Sequence, residues 1–276
     1  NTDPVQLLNP IASHLSVMRS SLIGSLLQVV KFNADRKASR VRVFEVGRVF
    51  HKSPDTEDSL QSVKGLDQPM MLAGMAWGPV NELAWNVEKK NADFFDVKAD
   101  VEAMFAPRQV QFEAAEHQAL HPGRCARISS NGQPVGWLGE LHPKWRQQWD
   151  LSHAPVVFEL QLDSLLDRTV PVVTAVPKLQ AVERDIAVVV KEEVSHQVLM
   201  DCIHSTPTQG LLQDAVLFDV YRPAKEGGSV AVGEKSLAVR LSLHSDEATL
   251  TEAQIDTAMN AVLGQLKQQV AARLRS

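Results

Sequence analysis

The sequence predicts an α+β protein made of two successive modules, and three observations carry that expectation. Hairpin-type strands flanked by helical periods fill the first part of the chain. An extended, proline-bearing stretch then interrupts the pattern. Beyond it the order strand–helix–strand–strand–helix–strand can be read once through. At 276 residues, 44% of them hydrophobic, the chain can bury one large core or two ordinary ones.

In the first module an Asn9-Pro10 turn and a polar lead-in precede one long amphipathic helix, expected over 15–35, whose apolar stripe is Met18, Leu22, Leu26 and Val29. Val41 to Phe50 (VRVFEVGRVF) reads as a buried strand, apolar on both faces, and the polar residues 51–68 as a loop. Met70 to Trp77 (MMLAGMAW) reads as another buried strand. Phe94, Val97, Val101 and Met104 fall at helical spacing, in a helix introduced by Asn91 to Asp93 and ended by Pro107. VQFEAA is a strand, and RCARISSNGQPVGWLGEL a hairpin turning at Asn131-Gly132. Val156 to Leu162 forms a further strand, followed by a short helical turn, DSLLDR. Together these give a largely antiparallel sheet with helices over 1–167.

Residues 168–180 are expected to cross between modules in an extended form, and 181–276 to form the second. Arg184 to Val190 is a strand, and Ser195 caps a helix bearing Val198, Leu199, Cys202 and Ile203. Ala215 to Arg222 and Lys235 to Leu243 are strands joined by a glycine-rich loop. Thr251 and Gln254 form a capping box for a helix carrying Ile255, Met259, Val262 and Leu266. The final VAARLRS either extends that helix or forms an edge strand. This is the βαββαβ order of a ferredoxin-like domain.

Bulk properties narrow the function. No run approaches the twenty apolar residues needed to span a bilayer, and the N-terminal NTDPVQLL has neither the charge nor the apolar core of a secretory signal. Cys125 and Cys202 are two distant thiols without paired spacing, which points to a reducing compartment, by default the cytoplasm. A net charge of −5 excludes a simple nucleic-acid sponge, so RNA binding would rest on stacking and specific hydrogen bonds. Locally, residues 31–48 hold six basic and two acidic side chains, suited to a solvated helix end, a partner or phosphate contact.

Catalytic and metal motifs are weak. His117, His121 and Cys125 have helical ligand spacing, but Pro122-Gly123 breaks any helix between them, so no metal site is expected. Cys125 reads as a small buried thiol, and Asp93, Asp96, Asp100 and Glu102 as the solvated face of a helix. No nucleophile elbow, zinc-protease or P-loop motif occurs.

The long helix feeding FEVG (Phe44 to Gly47) and Phe50 resembles the first two signature motifs of class II aminoacyl-tRNA synthetases. The details are similar to the bacterial phenylalanyl-tRNA synthetase beta-subunit family. Further blocks carry the resemblance in order: Asn9 to Leu27, Asp93 to Phe105, HPGRCARI, VGWLGELHP, Val157 to Leu166, Val176 to Val190, Leu217 to Arg222 and KSLAVRLSL. It implies a class II synthetase-like first module and a ferredoxin-fold anticodon-binding second one. Where the second motif's ATP-gripping arginine belongs, this chain has His51, and the glycine- and arginine-bearing third motif is missing. Imidazole lacks the permanent charge and bidentate fork of guanidinium. The first module is therefore expected to be catalytically silent and to bind no cofactor of its own. ATP and Mg would be used by an alpha subunit within an (αβ)2 ligase.

The same resemblance implies RNA-binding residues Asp219, Tyr221, Arg222, Ser236 and Arg275, reading the anticodon of tRNA(Phe). Tyr221, the only tyrosine, would stack on a base, and Asp219 would accept from guanine, the first anticodon base. The family tail often reads G-A-x-L-R against A-A-R-L-R here, so Arg273 and Arg275 compete for the terminal role. Met18, Leu22 and Leu26 would face the alpha subunit or a second beta subunit. A free-standing class II-like ligase and a separate RNA-binding regulatory protein are the alternatives.

Overall fold

A computed structural model describes residues 3–59, 62–167, 179–223 and 229–275. The chain divides into two compact units, 1–171 and 172–276. Of the expected 168–180 crossing, only Leu179 and Gln180 lie among the described residues.

The first unit begins with a short 3-10 turn at Ser13–Leu15, and helix α1 spans Ile23–Asp35. The helix therefore starts well after the expected residue 15. Glu159 is the reason. Its carboxylate accepts hydrogen bonds from the Leu22 backbone N–H (2.6 Å) and the Ser21 hydroxyl (3.1 Å), fixing a negative charge at the positive end of the helix. Burial pushes the Glu159 carboxyl above its ordinary range, against the pull of those two donors.

Strands follow as β1 (Val41–Arg48), β2 (His51–Lys52), β3 (Leu66–Asp67) and β4 (Met70–Trp77). Within the expected loop 51–68, β2 and β3 pair as a small hairpin. Helix α2 is Phe94–Phe105, where Asp93 and Asp96 complete a capping box. Next come β5 (Gln111–Ala114), β6 (Leu120–Ser130), β7 (Gln133–Leu141), α3 (Pro143–Gln148), β8 (Val156–Gln161) and α4 (Asp163–Leu166). Asn131 and Gly132 both have positive φ, which gives the β6–β7 hairpin a turn that follows strand twist.

The six strands form an antiparallel sheet in the order β1-β4-β8-β7-β6-β5. On one face α1 buries Ile23, Leu26, Leu27 and Val30 against Ala73, Met75, Trp77 and Val157. On the other, Val97, Val101 and Phe105 of α2 pack on Leu72, Leu138, Val156 and Leu160. Strand β1 is the sheet edge and is not buried on both faces. Val41 points into the core, whereas Phe44 is 75% exposed and Val46 is also exposed.

The second unit contains β9 (Val182–Lys191), α5 (His196–His204), β10 (Leu212–Tyr221), β11 (Glu234–Leu243), α6 (Glu252–Val270) and β12 (Arg273–Leu274). Its antiparallel sheet has the order β10-β11-β9-β12 and is a ferredoxin-like arrangement. Both helices lie on one face, with Leu199, Ile203, Val262 and Leu266 closing over Val188, Leu237, Val239 and Leu241. Ala271, in the left-handed region at φ 51°, ends α6 and turns the tail back to pair with β9. Of the two readings of that tail, the edge strand holds.

Candidate nucleic-acid interface

The face of the second sheet away from its helices carries four of the predicted RNA-binding residues, Asp219, Tyr221, Ser236 and Arg275. Strict alternation from Leu217, which packs toward the helices, would send Asp219 and Tyr221 inward as well. A β-bulge prevents this. Leu217 pairs with Val239, yet Asp219 pairs with Ala238, so Phe218 is an extra residue and the phase reverses. Asp219 and Tyr221 consequently lie on the open face and are exposed.

Tyr221 stands opposite Ser236, Ser236 opposite Val189, and Val189 opposite Arg273, giving one row across four strands. From the far edge the Arg275 backbone N–H donates to the Ala187 carbonyl at 2.9 Å. Its guanidinium lies 4.6 Å from the centre of the Tyr221 ring. The two side chains thus meet above the middle strands, whose neighbours are about 4.8 Å apart. In the same row Ser236 (2% exposed) and Val189 (1%) are buried.

Arg273 donates instead to Glu234 at 2.6 Å, so Arg275 is the terminal arginine that reaches the tyrosine. The Ala231 N–H and then Arg273 hold the Glu234 carboxyl below its usual value. Arg222 departs from the expectation. Its guanidinium is bound to both oxygens of Glu192, at 2.8 to 3.1 Å, and does not join the Tyr221 group. Neither Asp219 nor Arg275 enters an ion pair among the described residues. Such a site offers an aromatic face, a carboxylate acceptor and a cation over a small-residue floor.

The described residues of the first unit offer no comparable group. Its basic stretch is largely engaged internally. Lys31 pairs with Asp35 (2.7 Å), Arg36 donates to the Phe32 carbonyl (2.9 Å), and Arg40 to the carbonyls of Pro79 and Val80 (both 3.1 Å). Arg42 pairs with Asp100, and Arg48 donates to the Gln68 carbonyl at 2.7 Å. Arg19 pairs with Glu45 and lies over Gly47, where a Cβ would sit 2.1 Å from its Nη2. Beside β1, Phe158 fills the space over Gly74, at 2.4 Å from where a Cβ would be, and leaves a cleft of about 260 Å³. That is smaller than usual small-molecule sites of roughly 300–1,000 Å³.

The expected interface residues are also placed differently. Leu22 (0% exposed) and Leu26 (2%) belong to the core because α1 is rotated toward its own sheet. Met18 precedes the helix, where its N–H donates to the Val5 carbonyl at 2.8 Å. The exposed apolar residues of α1 are Val29 and Phe32. Among the described residues no three His, Cys, Asp or Glu side chains group to hold a metal ion, and no helix is long and apolar enough to cross a membrane. Desolvation raises the Cys125 thiol to about 11, which makes it inert.

Residues 1–162 match the family described as phenylalanyl tRNA synthetase beta chain CLM domain. The chain belongs to the phenylalanyl-tRNA synthetase beta chain family. Residues 177–275 match the ferredoxin-fold anticodon binding domain, the unit that carries Tyr221 and Arg275. The phenylalanine–tRNA ligase beta subunit of Cupriavidus pinatubonensis is 48% identical over all of this chain, which covers 34% of that relative. The Bordetella bronchiseptica beta subunit is 51% identical over 92% of this chain and 32% of its own length. The chain thus spans about a third of the curated relatives it matches. A solved pyrrolysyl-tRNA synthetase from Desulfitobacterium hafniense is similar at 15% identity and a TM-score of 0.41, covering 59% of this chain and 52% of its own, too slight a likeness to carry argument.

Two contributors were not visible in the sequence. The Phe218 bulge is a tertiary feature; its only trace is that Leu217 and Val220 cannot both face inward without a change of phase. The floor residues Ala187, Val189 and Ala238 carry no chemistry to single them out.

Proposed function

We propose that this chain reads the anticodon of tRNA(Phe) through its second unit, as part of a phenylalanine–tRNA ligase beta subunit. The first unit acts as a non-catalytic scaffold for the alpha subunit, in an (αβ)2 assembly that works in the cytoplasm. The observation that carries this reading is the meeting of Tyr221 and Arg275 on an open sheet face, with Ser236 opposite Tyr221 and Asp219 two residues back along the same strand. A splayed base can stack on Tyr221 once the Arg275 guanidinium swings aside, or on the ring's free face. Asp219 can accept from the Watson–Crick edge of guanine, and Arg275 can turn to the adjoining phosphate. Activation of phenylalanine with ATP and Mg belongs to the alpha subunit. The internal engagement of Arg19 and of the β1 arginines Arg42 and Arg48 supports leaving that chemistry out of this chain.

The experiment is Tyr221→Ala in the assembled ligase, followed by aminoacylation over a range of tRNA concentrations. The KM for tRNA rises and phenylalanine activation is unchanged. Unaltered charging would remove Tyr221 from the reading. ATP–pyrophosphate exchange by the chain alone would instead favour a free-standing ligase.

A further inference from the structure

We propose that Phe218 is a second base-stacking platform, holding a nucleotide adjacent to the one on Tyr221. This rests on the reading of the open face as an anticodon site and adds a residue to it. A lone exposed phenylalanine is ordinary. Three observations distinguish this one. First, it is the extra residue of the bulge, so the irregularity that aims Asp219 and Tyr221 outward also sets the ring beside them. Second, the ring is braced. The Arg240 guanidinium lies 5.6 Å from its centre and is itself held by Asp185 through two hydrogen bonds, of 2.8 and 2.9 Å. Glu183 adds an ion pair at 3.3 Å.

Third, the arrangement repeats. Tyr221 with Arg275 and Phe218 with Arg240 are two ring–guanidinium pairs on one strand, three residues or at most about 10 Å apart. Four-stranded sheets that bind single-stranded RNA commonly seat two or three bases on aromatic side chains of the open face. Asp185 and Glu183 neutralise Arg240, so its work is to hold the ring rather than to attract phosphate. Phe218 is 54% exposed and keeps a face for a base. A stacking platform of this kind is tolerant of base identity, because every base has a π face.

The test compares Phe218→Ala, Phe218→Leu and Phe218→Trp with Tyr221→Ala in the assembled ligase. Substrates are tRNA(Phe) and versions made abasic at each nucleotide flanking the first anticodon base. Phe218→Ala and Phe218→Leu raise the KM for tRNA on the order of 5- to 100-fold, and Phe218→Trp retains the wild-type value. The leucine variant keeps an apolar side chain on the bulge, so a folding failure of the alanine variant does not obscure the result. The loss disappears on one of the two abasic substrates, since no base is left there to stack. An unchanged KM in the leucine variant, or a loss that persists on both abasic substrates, overturns the proposal. If Tyr221→Ala is also silent, the anticodon reading itself falls. If Tyr221→Ala alone is impaired, only the second platform does.

Discussion

Each unit has an antiparallel sheet with helices on one face, and the two differ in what occupies the other. In the first, α2 closes the second face, Phe158 fills the space over Gly74, and the edge arginines are tied to carboxylates and carbonyls of the same unit. In the second, no helix among the described residues covers the second face, and a tyrosine, an arginine and a carboxylate stand over small residues. A sheet covered on both sides has its polar groups committed to its own fold. One left half-open can hold the same residue types ready for a ligand. The number of cations does not distinguish the two sheets, whereas the partners of those cations do.

The largest expected effect probes the closed sheet. Leu26→Ala should cost about 2–5 kcal/mol of folding stability, because it empties a fully packed site between α1 and the sheet. Urea denaturation of the chain by itself measures this. A normal midpoint, with only assembly impaired, would return Leu26 to a subunit interface. The open sheet should respond in the opposite way. Tyr221→Ala should weaken RNA binding by about 1–3 kcal/mol and leave the denaturation midpoint nearly unmoved, since the ring is half-exposed.

A smaller gain is expected from Ala271→Gly. Ala271 holds φ 51°, where a Cβ costs about 1–2 kcal/mol and glycine ends helices freely. Part of that cost should be recovered, about 1 kcal/mol, with Arg275 still at Tyr221. Reduced RNA binding by this variant would mean that the strained turn sets the arginine's position.

The smallest effect is a dependence on pH in the first unit. The His153 ring stacks on Trp77, and its Nε2 accepts from the Gly78 N–H at 2.9 Å. Burial and then Arg146 lower its pKa, so the fold favours the neutral ring. That stability is fully present above the unfolded pKa of about 6.5 and is lost as pH falls from there through the folded value. His153→Gln should flatten the stability profile between pH 7 and 5. An equally steep profile in the variant would assign the slope to other groups.

Much of the fold was legible because its signals are local. The Asp93 box, the Asn131-Gly132 turn, the Ser195 cap and the Thr251–Gln254 box each fix an element from a few neighbouring residues. What was not legible depends on distant partners. The start of α1 is set by Glu159, 137 residues away from Leu22. The apolar pattern of β1 gave no sign that it would be an edge, and the short α3 at Pro143–Gln148 has too little period to detect. The candidate site divides the same way. Tyr221 and Arg275 meet, with Ser236 and Asp219 on the same face, whereas Arg222 is drawn off by Glu192, a charge that sequence spacing could not pair with it.

Hydrogen–deuterium exchange of the whole chain, with and without a tRNA(Phe) anticodon stem-loop, tests the division of labour most directly. Protection should appear in β10, β11 and the β12 tail, with β1, β4 and α2 unchanged. Protection of β1 by RNA or by ATP, with β10 exchanging as before, would contradict the account.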